Sequence, residues 1–132
     1  MKVLFVRLRL LVAPLALAMA LTLSGCSEDD RVLLRVRNSS DRDFEEVFVV
    51  SGEPLTAGKY FGNVPSGATS DYRPFDLAYS YGYVRVTSGG EEYTFIPIDY
   101  VGEKPLTPGS YTYVLGLSKS IPPQLSVSCE GN

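Results

Sequence analysis

The stretch from Tyr79 to Ile98 decides the fold, and it reads YSYGYVRVTSGGEEYTFIPI. Apolar and polar residues alternate on both sides of Gly89-Gly90, which is the period of a half-buried strand. A two-residue hairpin loop needs positive φ at its centre, a conformation that glycine adopts at little cost. The stretch therefore predicts an antiparallel hairpin that turns at Gly89-Gly90.

The position of the turn fixes the register of this hairpin and hence its two faces. One face is apolar throughout, and we expect it to pack in the core: Val86 opposite Tyr93 and Val84 opposite Phe95. The second face is polar near the turn and aromatic away from it: Thr87 opposite Glu92, Arg85 opposite Thr94, Tyr83 opposite Ile96, and Tyr81 opposite Ile98. Because side chains alternate along a strand, this second face also contains Tyr79.

Outside the hairpin, short β-branched and aromatic runs are separated by Gly, Pro, Asn, Asp and Ser, and no helical period is present. The further strand candidates are residues 31–37, 44–50, 59–64, 110–117 and 124–129. Residues 69–75 include Pro74, which restricts them to an edge strand or a loop, and residues 99–108 are predicted to be a loop. About seven strands at this spacing predict an all-β fold, a single antiparallel β-sandwich.

The N-terminus has the three parts of a secretory signal peptide. Lys2, Arg7 and Arg9 are followed by an apolar run of about 14 residues, short of the roughly 20 that cross a bilayer. The run closes in Leu-Ser-Gly before Cys26. This tetrapeptide resembles the lipobox of bacterial lipoproteins. The resemblance implies cleavage of residues 1–25 and a diacylglycerol, usually with an N-acyl chain, on Cys26; an uncleaved span and a free Cys26 are the alternatives.

The residues after the cysteine are Ser27, Glu28, Asp29 and Asp30. This acidic run resembles the export signal of surface lipoproteins in the Bacteroidetes, and the Asp that retains many lipoproteins in the inner membrane is not directly after Cys26. The resemblance implies the outer membrane and the cell surface, with the periplasmic face as the alternative. Residues 26–30 would then be a lipidated tether, although a solvated acidic linker also explains them.

Residues 31–132 are long enough for one domain. Without residues 1–25 the chain has nine basic and fifteen acidic residues, a formal charge of −6, which argues against nucleic acid. The absence of His removes His-dependent catalysis and the commonest zinc ligand. With Cys26 acylated, Cys129 has no partner in the chain, and we expect it in a mobile C-terminal tail.

The candidate ligand-binding residues are Tyr79, Tyr81, Tyr83 and Arg85 on the second face of the hairpin. Tyrosine rings beside a guanidinium suit a sugar ring or a protein hot spot. The alternative is ordinary packing beneath a loop such as Asp99–Pro108, for which Gly82 leaves room.

Two kinds of acidic site are weaker hypotheses. A calcium loop would use Asn38, Asp41 and Asp43, but the spacing is that of a polar turn. Paired carboxylates would come from Asp71, Asp76, Asp99 and Glu103, and nothing in the sequence brings two of them together. We therefore predict no catalytic residue, no metal and no cofactor beyond the covalent lipid on Cys26.

Residues 97–103 and 108–113 are similar to uncharacterised small bacterial lipoproteins. The second segment resembles the approach to a late strand of immunoglobulin-like and transthyretin-like sandwiches. The leading hypothesis is a non-enzymatic, lipid-anchored envelope lipoprotein that presents a binding surface to a glycan or a protein. The alternatives are a structural or accessory subunit of an envelope assembly and a small hydrolase inhibitor.

Overall fold

The computed structural model describes residues 30–52, 54 and 57–132. The predicted signal peptide, Cys26, and Ser27 to Asp29 lie outside the described residues. The described residues form eight strands: β1 (Val32–Asn38), β2 (Phe44–Val50), β3 (Lys59–Val64), β4 (Arg73–Phe75), β5 (Tyr83–Ser88), β6 (Glu91–Phe95), β7 (Gly109–Leu117) and β8 (Leu125–Gly131). None of them forms a helix that is long and apolar enough to cross a bilayer.

The strands form two four-stranded sheets, in the orders β4-β1-β7-β8 and β3-β2-β5-β6. Each sheet turns one face inward, and the two inner faces enclose a single apolar core. The largest fully buried hydrophobic side chains come from both sheets: Leu34, Val36, Phe44, Val47, Val49, Val64, Val84, Val86, Tyr113 and Leu115. The prediction of an all-β sandwich is confirmed.

The hairpin at Gly89-Gly90 is confirmed with its predicted register. Both glycines have positive φ, at 60° and 78°, and Val86 pairs with Tyr93 and Val84 with Phe95. The ladder ends at that last pair, so the predicted pairs of Tyr83 with Ile96 and of Tyr81 with Ile98 were wrong. Pro97 explains the end of the ladder, because proline has no N–H to donate and restricts the residue before it.

The edge-strand alternative for residues 69–75 is confirmed, whereas the expectation of antiparallel pairing throughout was wrong for one pair of strands. Residues 73–75 form the eighth strand, β4, at the edge of its sheet, where Pro74 needs no donor toward a second neighbour. In addition, β1 pairs with β7 in parallel over all seven of its residues, so that sheet is mixed rather than antiparallel.

The prediction of a mobile tail around Cys129 was wrong. β8 pairs with β7 from Leu125 to Gly131, and Cys129 stands opposite Tyr113. Leu125, Val127 and Cys129 alternate with exposed serines, so their side chains pack against the core from the edge of the sheet. The strand candidate over residues 124–129, which rests on this period of two, is confirmed.

The sandwich has two ends, which differ in chemistry. At the end where residue 30 enters the domain, here called the entry end, the start of β1 pairs with the start of β7 and the end of β4. Arg31, the residue before β1, lines one pocket there together with Phe75 of β4 and Lys59 of β3. The far end contains the polar turn 39–43, Gly89-Gly90 and the loop 118–124.

Candidate functional site

The four residues of the predicted binding stripe do not form one row in the structure. Tyr83 and Arg85 lie in β5, on the outer face of the β3-β2-β5-β6 sheet. Tyr79 and Tyr81 precede β5 and lie in the connection that follows β4. The stripe is therefore divided between two places, a sheet face and the entry end.

On the sheet face, Tyr83 and Arg85 lie beside two aromatic residues that the sequence pattern did not indicate. Phe48 in β2 pairs with Arg85 on one side and with Tyr60 of β3 on the other. The Arg85 guanidinium lies 4.9 Å from the centroid of the Phe48 ring, and the rings of Tyr60 and Tyr83 lie 4.7 Å and 6.5 Å from it. We call Phe48, Tyr60, Tyr83 and Arg85 the outer-face cluster.

Within the outer-face cluster, one aromatic ring is hidden and one is open. Phe48 is only 8% exposed although it points away from the core, whereas Tyr60 is 55% exposed. The backbone at Gly58 contributes to this cover, because a Cβ there would collide with the Phe48 ring. Phe48 therefore packs beneath the other side chains of the cluster, and Tyr60 is exposed to solvent.

The cluster carries charges of both signs. Arg85 lies 3.9 Å from a carboxylate oxygen of Glu46 and 4.0 Å from one of Glu92. Burial by itself would lower the pKa of Arg85, but the hydrogen bond to Tyr60 and the Glu92 carboxylate outweigh it and raise that pKa. The face thus places aromatic rings, the Arg85 cation and two carboxylate acceptors close together.

Tyr79 and Tyr81 are covered by the loop between β6 and β7. The Tyr100 ring stacks on both, with centroids 4.5 Å from Tyr79 and 5.5 Å from Tyr81. The Tyr81 hydroxyl donates to the Asp99 carbonyl at 3.0 Å. Partial burial and the neighbouring Glu103 carboxylate raise the pKa of Tyr81. Tyr79 and Tyr81 therefore have the arrangement of the alternative hypothesis, in which a loop packs over their rings.

Tyr79 is held by a buried polar junction between the sheets. Its N–H donates to Ser51 Oγ at 2.8 Å, and its carbonyl accepts a hydrogen bond from the Tyr113 hydroxyl. Ser51 Oγ also lies 2.8 Å from Tyr113 Oη. Burial raises the pKa of Tyr113, an effect only partly offset by the hydrogen bond with Ser51. Gly82 has a structural role here rather than leaving room for cover, because a Cβ would collide with the Val50 carbonyl.

The polar turn after β1 closes the far end of the sandwich. Asn38 is fully buried, and its amide nitrogen donates to the Arg42 and Val64 carbonyls at 2.6 Å and 2.9 Å. Asp43 accepts the N–H of Ser66 at 2.9 Å, and Asp41 lies 3.9 Å from Lys119. These polar groups therefore bind other parts of the chain.

The acidic residues that the structure describes form no metal-binding cluster. In the part of the chain that the structure describes, no group of three or more His, Cys, Asp or Glu side chains could hold a metal ion. The candidate carboxylates are all exposed: Asp71 before β4, Asp76 after it, and Asp99 and Glu103 in the loop between β6 and β7.

The loop between β6 and β7 also exposes aliphatic side chains. Ile96 is 70% exposed, Ile98 99% and Val101 88%. They line an open pocket of about 620 Å³ together with Tyr81 and Pro97. Sequence reasoning placed Ile96 and Ile98 beside the tyrosines but missed Val101, which belongs to a loop with no alternating pattern.

Comparisons with known proteins bear on the fold. No family model matches the chain, and no curated protein matches it. The fold is similar to the NMR structure of a protein from Eubacterium rectale, with a TM-score of 0.56 and 14% sequence identity. The similarity covers 76% of this chain and 91% of the other. Fold and site together define an all-β sandwich domain with an aromatic outer face.

Proposed function

We propose that this chain is a non-enzymatic, lipid-anchored lipoprotein of the bacterial envelope that binds a glycan at the cell surface. The observation that carries the proposal is the outer-face cluster, where an exposed tyrosine ring lies beside an arginine with carboxylates on both sides. The sequence before residue 31 supplies the anchor, and the outer face of the sheet supplies the binding surface.

The anchor follows from Cys26 and the segments around it. A charged and then apolar leader before Leu-Ser-Gly-Cys supports cleavage and lipidation. Several acyl chains at about 0.8 kcal/mol per buried CH₂ would hold a domain of this size firmly to a membrane. Ser27 and the three acids after it support export to the outer surface.

The chemistry of the outer-face cluster suits a sugar. The apolar face of a pyranose stacks on an exposed aromatic ring, and Tyr60 offers one. Hydroxyl groups need donors and acceptors in fixed positions, which Arg85 and the carboxylates of Glu46 and Glu92 provide. Stacking on Phe48 holds the Arg85 side chain in place, so less of its freedom is lost on binding.

A protein partner is the second candidate, because the same pair of residues favours it. Tyrosine and arginine are among the side chains enriched at the centres of protein interfaces, and Tyr60 and Arg85 are adjacent here. Cross-linking on intact cells, followed by purification through the lipoprotein, would recover such a partner. Loss of that partner in the Tyr60→Ala variant would place it on this face.

The glycan proposal is tested with residues 26–132 carrying Cys26→Ser, applied to a panel of envelope and host polysaccharides. We expect binding to at least one glycan, and loss of that binding in Tyr60→Ala and Arg85→Ala. The other sheet provides a matched control, since Arg35 lies 4.8 Å from the centroid of the Tyr72 ring. Tyr72→Ala should leave binding intact. Binding that survives Tyr60→Ala but not Tyr72→Ala would move the site to the other sheet.

The surface location has its own test. Replacing Glu28, Asp29 and Asp30 with Ala should leave the lipoprotein synthesised and lipidated but protected from protease added to intact cells. Digestion that is equal before and after the replacement would refute an export role for these acids.

A further inference from the structure

We propose that the aliphatic loop between β6 and β7 rests in the lipid–water interface of the membrane that holds Cys26. The occupant of this exposed surface is thus a lipid bilayer. This inference rests on the proposed lipid anchor and goes beyond it, because a lipid on a tether does not by itself orient the domain.

The route of the chain brings this loop close to the membrane. From Cys26 to Arg31 there are five residues, which span at most about 18 Å when fully extended. Arg31 enters at the start of β1, and β6 ends at this same end of the sandwich, where its chain crosses to β7. The entry end therefore faces the bilayer at short range.

Exposed hydrophobic side chains are concentrated at that end. Among residues 30–52, 54 and 57–132, five large hydrophobic side chains are exposed, and three of them are Ile96, Ile98 and Val101 in this one loop. Tyr60 belongs to the outer-face cluster, and Ile121 lies alone in the loop 118–124 at the far end. The free energy gained by removing aliphatic surface from water favours contact with lipid.

The residues around the aliphatic side chains suit a head-group region. Tyr81 and Tyr100, which stack beside them, combine an apolar ring with a polar tip, and such side chains are enriched at membrane interfaces. Lys104 follows in the same loop, and Lys59 lies at the same end. Long basic side chains can extend along an interface while their charges stay hydrated.

Two carboxylates in the loop limit the depth of contact. Asp99 and Glu103 are exposed and flank Val101, and a charged group is costly to move into hydrocarbon. Asp99 Oδ1 accepts the N–H of Val101 at 3.1 Å, so its carboxylate stays beside the loop backbone. The loop therefore reaches the head-group boundary and not the centre of the bilayer.

The chain has no tryptophan, so one substitution supplies a unique fluorescent probe. The full-length protein is made with its own signal peptide, purified, and reconstituted in phosphatidylcholine vesicles that carry a doxyl quencher near the head group or near the acyl terminus. Ile98→Trp is compared with Ile121→Trp. Both isoleucines are 99% exposed, so neither change disturbs the core, and they lie at opposite ends.

We expect Ile98→Trp to show blue-shifted emission that the shallow quencher reduces more than the deep one, whereas Ile121→Trp emits as in water and is not quenched. Equal, water-like emission from both variants, in protein that floats with the vesicles, would overturn the inference and leave the anchor standing. Blue-shifted emission without doxyl quenching would overturn it in favour of a protein or a second copy. Unmodified protein that does not float would overturn the lipid anchor and this inference with it.

Discussion

Replacing Tyr113 with Phe removes one hydroxyl group from the junction between the two sheets. Tyr113 is fully buried in β7 and reaches the segment after β2, where it meets Ser51, and the connection before β5, where it meets Tyr79. The ring still fills its place in the core in the variant. The change therefore isolates the hydrogen bonds from the packing.

The expected loss follows from what each partner retains. Without the hydroxyl, the Tyr79 carbonyl keeps only the Ser51 hydroxyl, which lies 3.5 Å away and is a weak donor at that distance. Leaving a buried acceptor poorly satisfied costs about 1–3 kcal/mol, and the Tyr79 carbonyl is partly buried. We expect a loss of about 2 kcal/mol in the free energy of unfolding, which for a domain of about 100 residues lowers Tm by roughly 10 °C.

The assay is urea denaturation of residues 26–132 carrying Cys26→Ser, monitored by circular dichroism. A thermal melt of the same protein gives Tm. Tyr111→Phe is the matched control, because its hydroxyl bonds only to Thr107 at an exposed position. We expect that control to change the free energy of unfolding by less than about 0.5 kcal/mol. Equal midpoints for Tyr113→Phe and the unmodified domain would refute the argument that this junction holds the sheets together.

Three further outcomes are expected from single positions. Because burial raises the pKa of Tyr113, the folded state holds the phenol proton more tightly than the unfolded state does. This contribution to stability is complete below about pH 10 and is lost as the pH rises further. When the pH is raised from neutral to above that value, the free energy of unfolding should therefore fall less for Tyr113→Phe than for the unmodified domain. Gly90→Ala places a Cβ at φ 78° and should cost about 1 kcal/mol in urea denaturation, while Gly131→Ala, at a glycine without positive φ, should cost less; equal losses would contradict the turn argument. Burial, and to a smaller extent the Glu130 carboxylate, raise the pKa of Cys129. Its alkylation by iodoacetamide, measured by mass spectrometry, should therefore be slower at neutral pH than that of free cysteine and should accelerate in alkali. Alkylation as fast as that of free cysteine would contradict this expectation.

The sequence determines the centre of the hairpin to the residue, because a two-glycine turn leaves one register for Val84 and Val86. The same reasoning fails immediately before β5 begins, so that Tyr81 and Tyr79 were wrongly placed in the strand. Alternation was extended through Gly82, where the chain in fact leaves the strand and packs against the end of β2. Local periodicity carries no information about where a neighbouring strand stops.

The candidate site was found only in part for a related reason. Arg85 was identified from its own strand, whereas Phe48 and Tyr60 come from strands that neighbour it only after the sheet has formed. Shifts in the pairing of β2 with β3 set which residue of β2 stands beside Tyr60. Such a partner is a property of the register between strands, which a single sequence does not display.

The place of β1 in its sheet has a mechanical consequence. β1 is an inner strand, bonded to β4 on one side and to β7 along its whole length on the other. A pull on the chain at Arg31 acts along β1, so its hydrogen bonds are loaded together in shear and cannot open one after another from a free edge. A domain held by its first strand in this way would resist unfolding under a force that reaches it through the proposed lipid anchor.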